Sequence, residues 1–245
     1  MTPAIVLVEP QLAENIGATA RAMLNFGFTD LRLVTPRVEW PSERARQTSS
    51  GADAVIDQVR VYRSFAEAVA DLQVIIATCH VGREMVKPQL TPTATAVRLH
   101  TAVRDGLSSG LVFGPERTGL INADQVLCDA LCTIPANPEF SSLNLAQAVL
   151  LLVWEYARVA DTTPGEVLRT GESAVASKQH LLSFLTRLEF ELDACGFLRV
   201  PHMRAAMVQN LRAIFTRNQL TDQELRTLHG VLTELVTKRT WRGEG

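Results

Sequence analysis

Three short clusters in this chain carry residue types that could do chemistry. Asn15, Gly17 and Arg21 bring a side-chain amide, a position with no side chain and a guanidinium about 1.7 helical turns beyond the asparagine. Asn15 can cap a helix, and Gly17 lets something approach its first turn. A capped helix with one solvated arginine would carry the same residues. Phe113, Gly114, Pro115, Glu116 and Gly119 follow an apolar run. There Gly114 leaves room for a ligand against backbone, Pro115 stiffens the turn and Glu116 can accept from loop amides. A plain turn would leave the Glu116–Arg117 pair in an apolar setting unexplained. The third cluster, Ser141, Ser142 and Asn144, gathers hydroxyls, an amide and the free N–H groups of a helix start. Such groups could bind an anion or the polar edge of a neutral ring. Ordinary capping accounts for one serine and does not need two with an asparagine.

Each cluster follows a segment that reads as a strand. Continuous apolar runs predict strands at Ala4–Val8, Leu31–Val34, Val74–Thr78, Gly110–Phe113 and Leu131–Ile134, with a weaker one near Val59–Tyr62. They lack inside–outside alternation, so both faces should be covered, and helical patterns lie between them. The fold class is therefore α/β with a mostly parallel sheet, whose strand carboxyl ends are the expected place for a ligand. Past about residue 160 only helices are expected, at Ala176–Cys195, His202–Arg217 and Thr221–Lys238. Thr221 and Glu224 have the spacing of a capping box, as do Ser64 and Glu67. Residues 1–162 form the α/β domain, 163–172 a linker rich in small and polar residues, and 173–245 a helical C-terminal extension.

Composition narrows the function classes. Lysine and arginine number 24 against 26 aspartate and glutamate, so bulk charge gives nucleic-acid binding no support. From Ala194 to Thr221, however, there is no acid, and Arg199, Arg204, Arg212 and Arg217 are candidate phosphate contacts. A solvated helix face would look similar. The opening residues carry no basic leader and no apolar run suits a membrane span, so the cytoplasm is the expected location. The four cysteines then read as reduced thiols, and Cys128 and Cys132 lack a second pair for a metal site. P-loop, dinucleotide-binding and HExxH motifs are absent.

From Leu143 to Val159 apolar residues run almost all round the helical wheel. One side should face the sheet. The other is expected on a second subunit, making a homodimer, or else under the C-terminal helices.

In this order, N-x-G-x-x-x-R at Asn15 to Arg21, F-G-x-E-x-x-G at Phe113 to Gly119 and S-S-L-N-x-A at Ser141 to Ala146 resemble the SPOUT superfamily. Within it they are most similar to the TrmH-like RNA ribose 2′-O-methyltransferases. The likeness covers residues 1 to about 160. With its helical extension, the chain looks most like the subgroup that modifies the ribose of tRNA nucleotide 32, a cytidine or uridine. An rRNA enzyme, or a non-catalytic RNA-binding protein on the same fold, is the alternative. The resemblance implies a trefoil knot at the end of the α/β domain. It implies a homodimer and S-adenosylmethionine as methyl donor, with S-adenosylhomocysteine as product. Carried over by position, the cofactor pocket comprises Thr78, Cys79, His80, Gly114, Glu116, Ile134, Ser141, Ser142, Leu143 and Asn144. The catalytic set is Arg21, Asn15, Ser142 and Glu116, with Arg21 reaching the partner's cofactor and contacting RNA. Pro115 and the bulky Cys79-His80-Val81 depart from the family's pattern. Arginine stays protonated, so Arg21 is expected to clamp a phosphate and stabilise alkoxide charge rather than act as a base.

Overall fold

The computed structural model describes residues 2–79, 86–167 and 172–241; His80 and Val81 lie outside them. The chain divides into two compact units, Met1–Thr163 and Pro164–Gly245, a division that falls at the start of the expected linker.

In the first unit seven strands form one parallel sheet: β1 (Ala4–Val8), β2 (Leu31–Val34), β3 (Arg60–Tyr62), β4 (Val74–Thr78), β5 (Gln89–Leu90), β6 (Ser109–Phe113) and β7 (Ala130–Cys132). Their order is β3-β2-β1-β6-β4-β7-β5. The α/β expectation is met, with two differences. The two-residue β5 has no β-branched run to announce it, and β7 ends two residues before the expected Ile134. The lack of alternation along β1 has the expected cause. Ile5 and Leu7 enter one core while Val6 and Val8 enter another, so helices cover both faces.

The larger core packs the sheet against α1 (Ala13–Asn25), α5 (Pro92–Arg104) and α7 (Leu145–Val159). Leu145, Ala146, Val149, Leu152, Val153 and Tyr156 of α7 are buried. At roughly 1.5–3 kcal/mol for each large apolar side chain, this stripe fixes which face of the helix meets the sheet. The opposite side leaves Leu150, Leu151, Trp154 and Val159 about 40% exposed, so one side of α7 faces the sheet as expected. Between α1 and β3 lie α2 (Glu43–Thr48) and α3 (Asp53–Ile56); α4 (Phe65–Val69) and α6 (Asn122–Val126) complete the unit.

Gly17 sits where α1 and α2 meet. A Cβ there would lie 2.1 Å from both the Ala45 carbonyl oxygen and Thr48 Oγ1. The group that Gly17 admits is thus α2, not a ligand. Alanine normally stabilises a helix interior relative to glycine, but here Gly17→Ala is expected to lower stability by about 1–3 kcal/mol in urea unfolding. An equal or higher midpoint would show that α2 can move away without cost.

At the amino ends of the strands, Arg32 is buried and bonds Asp30, Asp71 and the Ala68 carbonyl. Asp30 is desolvated, which pushes its carboxyl up, yet hydrogen bonds from Arg32 and Arg60 hold it below its ordinary value.

In the second unit α8 (Lys178–Ala194), α9 (Pro201–Thr216) and α10 (Asp222–Trp241) match the three expected helices within a few residues. The Thr221 capping box forms reciprocally: Glu224 N–H donates to Thr221 Oγ1 at 3.2 Å and Thr221 N–H to Glu224 Oε2 at 2.6 Å. Leu181, Phe184, Leu185 and Leu225 make a small core, and α9 buries no residue completely.

Candidate active site

The three clusters meet at the carboxyl ends of β1, β6 and β7, joined by one chain of hydrogen bonds. Asn144 donates from Nδ2 to Asn15 Oδ1 at 2.9 Å. Asn15 in turn donates from Nδ2 to Glu116 Oε1 at 2.7 Å. The second Glu116 oxygen accepts from the Gln11 backbone N–H at 3.2 Å. Residues 101 and 129 positions apart are thereby held together. Asn15 is 6% exposed, so this amide chain runs at the edge of the core, where an unpaired member would be costly.

This geometry corrects three expectations. Asn15 does not cap α1; Leu12 holds that position without a side-chain bond, and the Asn15 amide is turned toward the other two clusters. Neither serine caps α7. Asn144 does, its Oδ1 accepting from Ala146 N–H at 3.0 Å and Gln147 N–H at 3.3 Å. Those two amides are therefore not free for an anion. Gly114 is also not a seat for a ligand. A Cβ there would stand 2.3 Å from Leu120 N and 2.5 Å from the Gly119 carbonyl carbon, so the missing side chain lets the loop fold back on itself. Gly119 supports the same fold with φ +65°.

Beside the chain lies a cavity of about 380 Å³, of a size that suits a nucleoside-like molecule. Thr78, Cys79, Gly114, Glu116, Ile134, Ser141, Ser142 and Leu143 line it, eight of the ten expected cofactor residues. Of the other two, Asn144 acts as the cap, and His80 lies outside the described residues. Phe113, Pro115, Leu120, Leu145 and Ala148 add apolar wall beyond the ten expected cofactor residues. Gln125 was also missed. It is a buried amide whose Nε2 donates to the Leu120 carbonyl at 2.8 Å and so fixes the far end of the loop. The cavity combines apolar walls, for a flat ring, with hydroxyls and loop backbone, for polar edges.

A larger cavity of about 510 Å³ lies at the amino ends of the strands, around Asp30, Arg32, Arg60 and Asp71. Its charges are bonded to one another, and none of the three clusters lines it.

Arg21 does not line the site cavity. It is exposed on α1 and donates from Nη1 to Ser50 Oγ at 3.3 Å. Cys79 lies 3.4 Å from Thr133 Oγ1. Burial pushes the Cys128 thiol up to about 12 and the Cys132 thiol up to about 11, far from a reactive thiolate. Among the described residues no cluster could hold a metal ion, and no helix is long and apolar enough to cross a membrane.

The basic stretch of the second unit differs from its appearance in sequence. Arg204 pairs with Asp193 at 2.6 Å and Arg212 with Glu189 at 2.7 Å, both acids belonging to α8. Half of the apparent positive charge is thus neutralised by a neighbouring helix. Arg199 and Arg217 are exposed.

Known proteins resemble the chain over most of its length. The tRNA (cytidine/uridine-2′-O-)-methyltransferase TrmJ of Yersinia enterocolitica is 37% identical over 235 residues, 94% of this chain and 90% of its own length. The crystal structure of TrmJ from Z. mobilis ZM4 aligns with a TM-score of 0.83 and 42% identity, covering 96% of this chain and 99% of that one. The SpoU methyltransferase AviRb from Streptomyces viridochromogenes, solved in complex with AdoMet, shares the fold at 19% identity and a TM-score of 0.52, covering 64% of this chain and 57% of its own. The model of the SpoU rRNA Methylase family matches residues 2–154, and on this match and the near-full-length likeness to TrmJ the chain belongs to the SpoU methylase family.

Proposed function

We propose that the protein transfers a methyl group from S-adenosylmethionine to the ribose 2′-hydroxyl of a tRNA nucleotide, cytidine or uridine 32 of the anticodon loop. The observation that carries this reading is the Glu116–Asn15–Asn144 chain, which brings three distant turns to one cavity at the sheet's carboxyl edge. The family model is described by rRNA, but the relatives that match over nine-tenths of their length are named for tRNA. In our reading the loops after β6 and β7 form the trefoil knot of the family, and the protein works in the cytoplasm.

The cavity's residues fit the donor. Apolar Leu120, Ile134, Leu143 and Leu145 suit an adenine face, loop backbone suits its edge, and among the described residues Glu116 is the one carboxylate on the lining. The bound donor supplies an electrophilic methyl on a sulfonium. The remaining work is done by the protein. When bound, the donor would give up its methyl carbon to the ribose oxygen and leave as S-adenosylhomocysteine, and the hydroxyl proton would go to the adjacent phosphate or to water. Arg21 clamps that phosphate with its fork and stabilises the developing alkoxide. Ser142 orients the hydroxyl or the methionine end. Holding the two reactants in line can remove roughly 7–11 kcal/mol of barrier in ideal cases.

Arg21 stands outside the cavity of its own chain, which favours a site completed by a second copy. The exposed stripe of Leu150, Leu151 and Trp154 on α7 is the surface we assign to that homodimer. Light scattering at about micromolar concentration is expected to give twice the chain's 26.9 kDa. A clean monomer would remove the dimer.

We assign RNA binding to the second unit through its arginines. Arg199 and Arg217 are expected to contribute more than Arg204 and Arg212, each of which must first give up a carboxylate. Replacing Arg199 and Arg217 with glutamine should lower the slope of log K against log salt by about 1.4–1.8 and leave donor affinity unchanged. An unaltered slope would place the RNA elsewhere. The overall reading is tested by incubating the protein with labelled donor and either tRNA or rRNA, then mapping the modified nucleotide. Label on rRNA alone would shift the substrate class, and no label on either would sink the reading.

A further inference from the structure

The turn that follows α2 contains a residue whose backbone is strained. Ser50 has φ +50° and is followed by Gly51 at φ +93°. A non-glycine residue in the left-handed region is disfavoured, and glycine is the residue that takes such a position freely. Serine at this position therefore needs a reason, and strain of this kind gathers where a side chain has a task. Its hydroxyl has one: Ser50 Oγ accepts from Arg21 Nη1 at 3.3 Å.

The turn is held firmly in place. Ser49 is fully buried and its Oγ donates to the Arg46 carbonyl at 2.7 Å. Thr48 Oγ1 donates to the Arg44 carbonyl at 3.0 Å, and Gly17 lets α2 sit directly on α1. The close packing at Gly17 therefore delivers the Ser50 hydroxyl to the side chain one helical turn further along α1. We infer that Ser50 is a positioning residue for Arg21: its left-handed backbone is kept because it sets the hydroxyl that orients the guanidinium fork. This rests on the reading of Arg21 as the phosphate clamp.

The test compares Ser50→Gly, Ser50→Asn and Arg21→Ala in the full-length protein, with labelled S-adenosylmethionine and unfractionated tRNA under single-turnover conditions. Ser50→Gly removes both the strain and the hydroxyl. It is expected to leave the Tm equal to the parent's or about 2–4 °C higher, while the methyl-transfer rate falls about 5- to 10-fold and donor affinity stays the same. A merely structural role would move stability and rate in the same direction. Ser50→Asn tolerates the left-handed backbone and offers an acceptor oxygen, so it should recover most of the rate. In the Arg21→Ala background, Ser50→Gly should cause no further loss. A parental rate in Ser50→Gly, or an equal fall in both backgrounds, overturns the positioning role while leaving Arg21's own role intact. A parental rate in Arg21→Ala removes the reading of Arg21, and the inference with it.

Discussion

Glu116→Gln is expected to cost the protein its donor. The substitution preserves the length of the side chain and changes only what the group can accept. In the parent both carboxylate oxygens receive a hydrogen bond, one from Asn15 Nδ2 and one from Gln11 N–H. The amide of glutamine has one acceptor oxygen and one donor nitrogen. Whichever way it turns, an N–H meets an N–H. One donor at the base of the cavity loses its partner, and hydrogen bonds to charged groups are worth about 1.5–3 kcal/mol. Asn15 is held at its other end by Asn144, so the disturbance passes to the residue that caps α7 and carries Ser141 and Ser142 into the site. We expect donor affinity to fall by about 10- to 100-fold, read by calorimetric titration with S-adenosylmethionine, and far-ultraviolet circular dichroism to remain unchanged. Unaltered donor affinity would mean that the chain of amides does not shape the cavity. A companion variant, Asn15→Asp, places two carboxylates face to face and should be worse than Glu116→Gln, since like charges at that distance repel.

Much of this organisation was legible in the sequence, but unevenly. The buried strands stood out because a strand covered on both faces has no polar side to hide. β5 stayed invisible because two residues, Gln89 and Leu90, can hold an edge by backbone hydrogen bonds alone. Motif spacing named residues that the fold brings to one cavity, Arg21 excepted, but misassigned several of their partners. Asn15, Asn144 and the serines are all competent caps, and nothing in residue type says which of them takes the helix end. Tertiary contact decides: Asn15 lies inside α1 with its amide given to Glu116, while Asn144 stands one residue before α7 and caps it. The two glycines illustrate the same limit. Gly17 and Gly114 were rightly seen as positions of close approach, but the approaching groups are α2 and the loop's own backbone. The basic stretch misled for a related reason. Charge was read along one segment, whereas Asp193 and Glu189 reach Arg204 and Arg212 from the preceding helix.

Arg21→Lys is expected to lower turnover by about 10²–10³ with donor affinity intact. Lysine keeps the positive charge, so a loss of this size would assign the effect to geometry. The guanidinium is a planar fork that can hold two oxygens of one phosphate at once, whereas an ammonium is a point charge that must choose. The location of Arg21 sharpens the expectation. It lies exposed on α1, six residues beyond Asn15, and is steadied by the Ser50 hydroxyl. It is therefore free to meet a substrate and has no part in the core, so the substitution should leave the Tm near that of the parent. Donor binding should also be unchanged, since Arg21 does not line the cavity of its own chain. If the site is completed across a dimer, mixing Arg21→Lys chains with chains carrying Glu116→Gln should restore one of the two sites in each mixed dimer, because one arginine and one intact cavity then face each other. Near-parental turnover in Arg21→Lys would mean that charge alone suffices. Failure of the mixture to recover activity, where mixed dimers form, would place each arginine beside the cavity of its own chain.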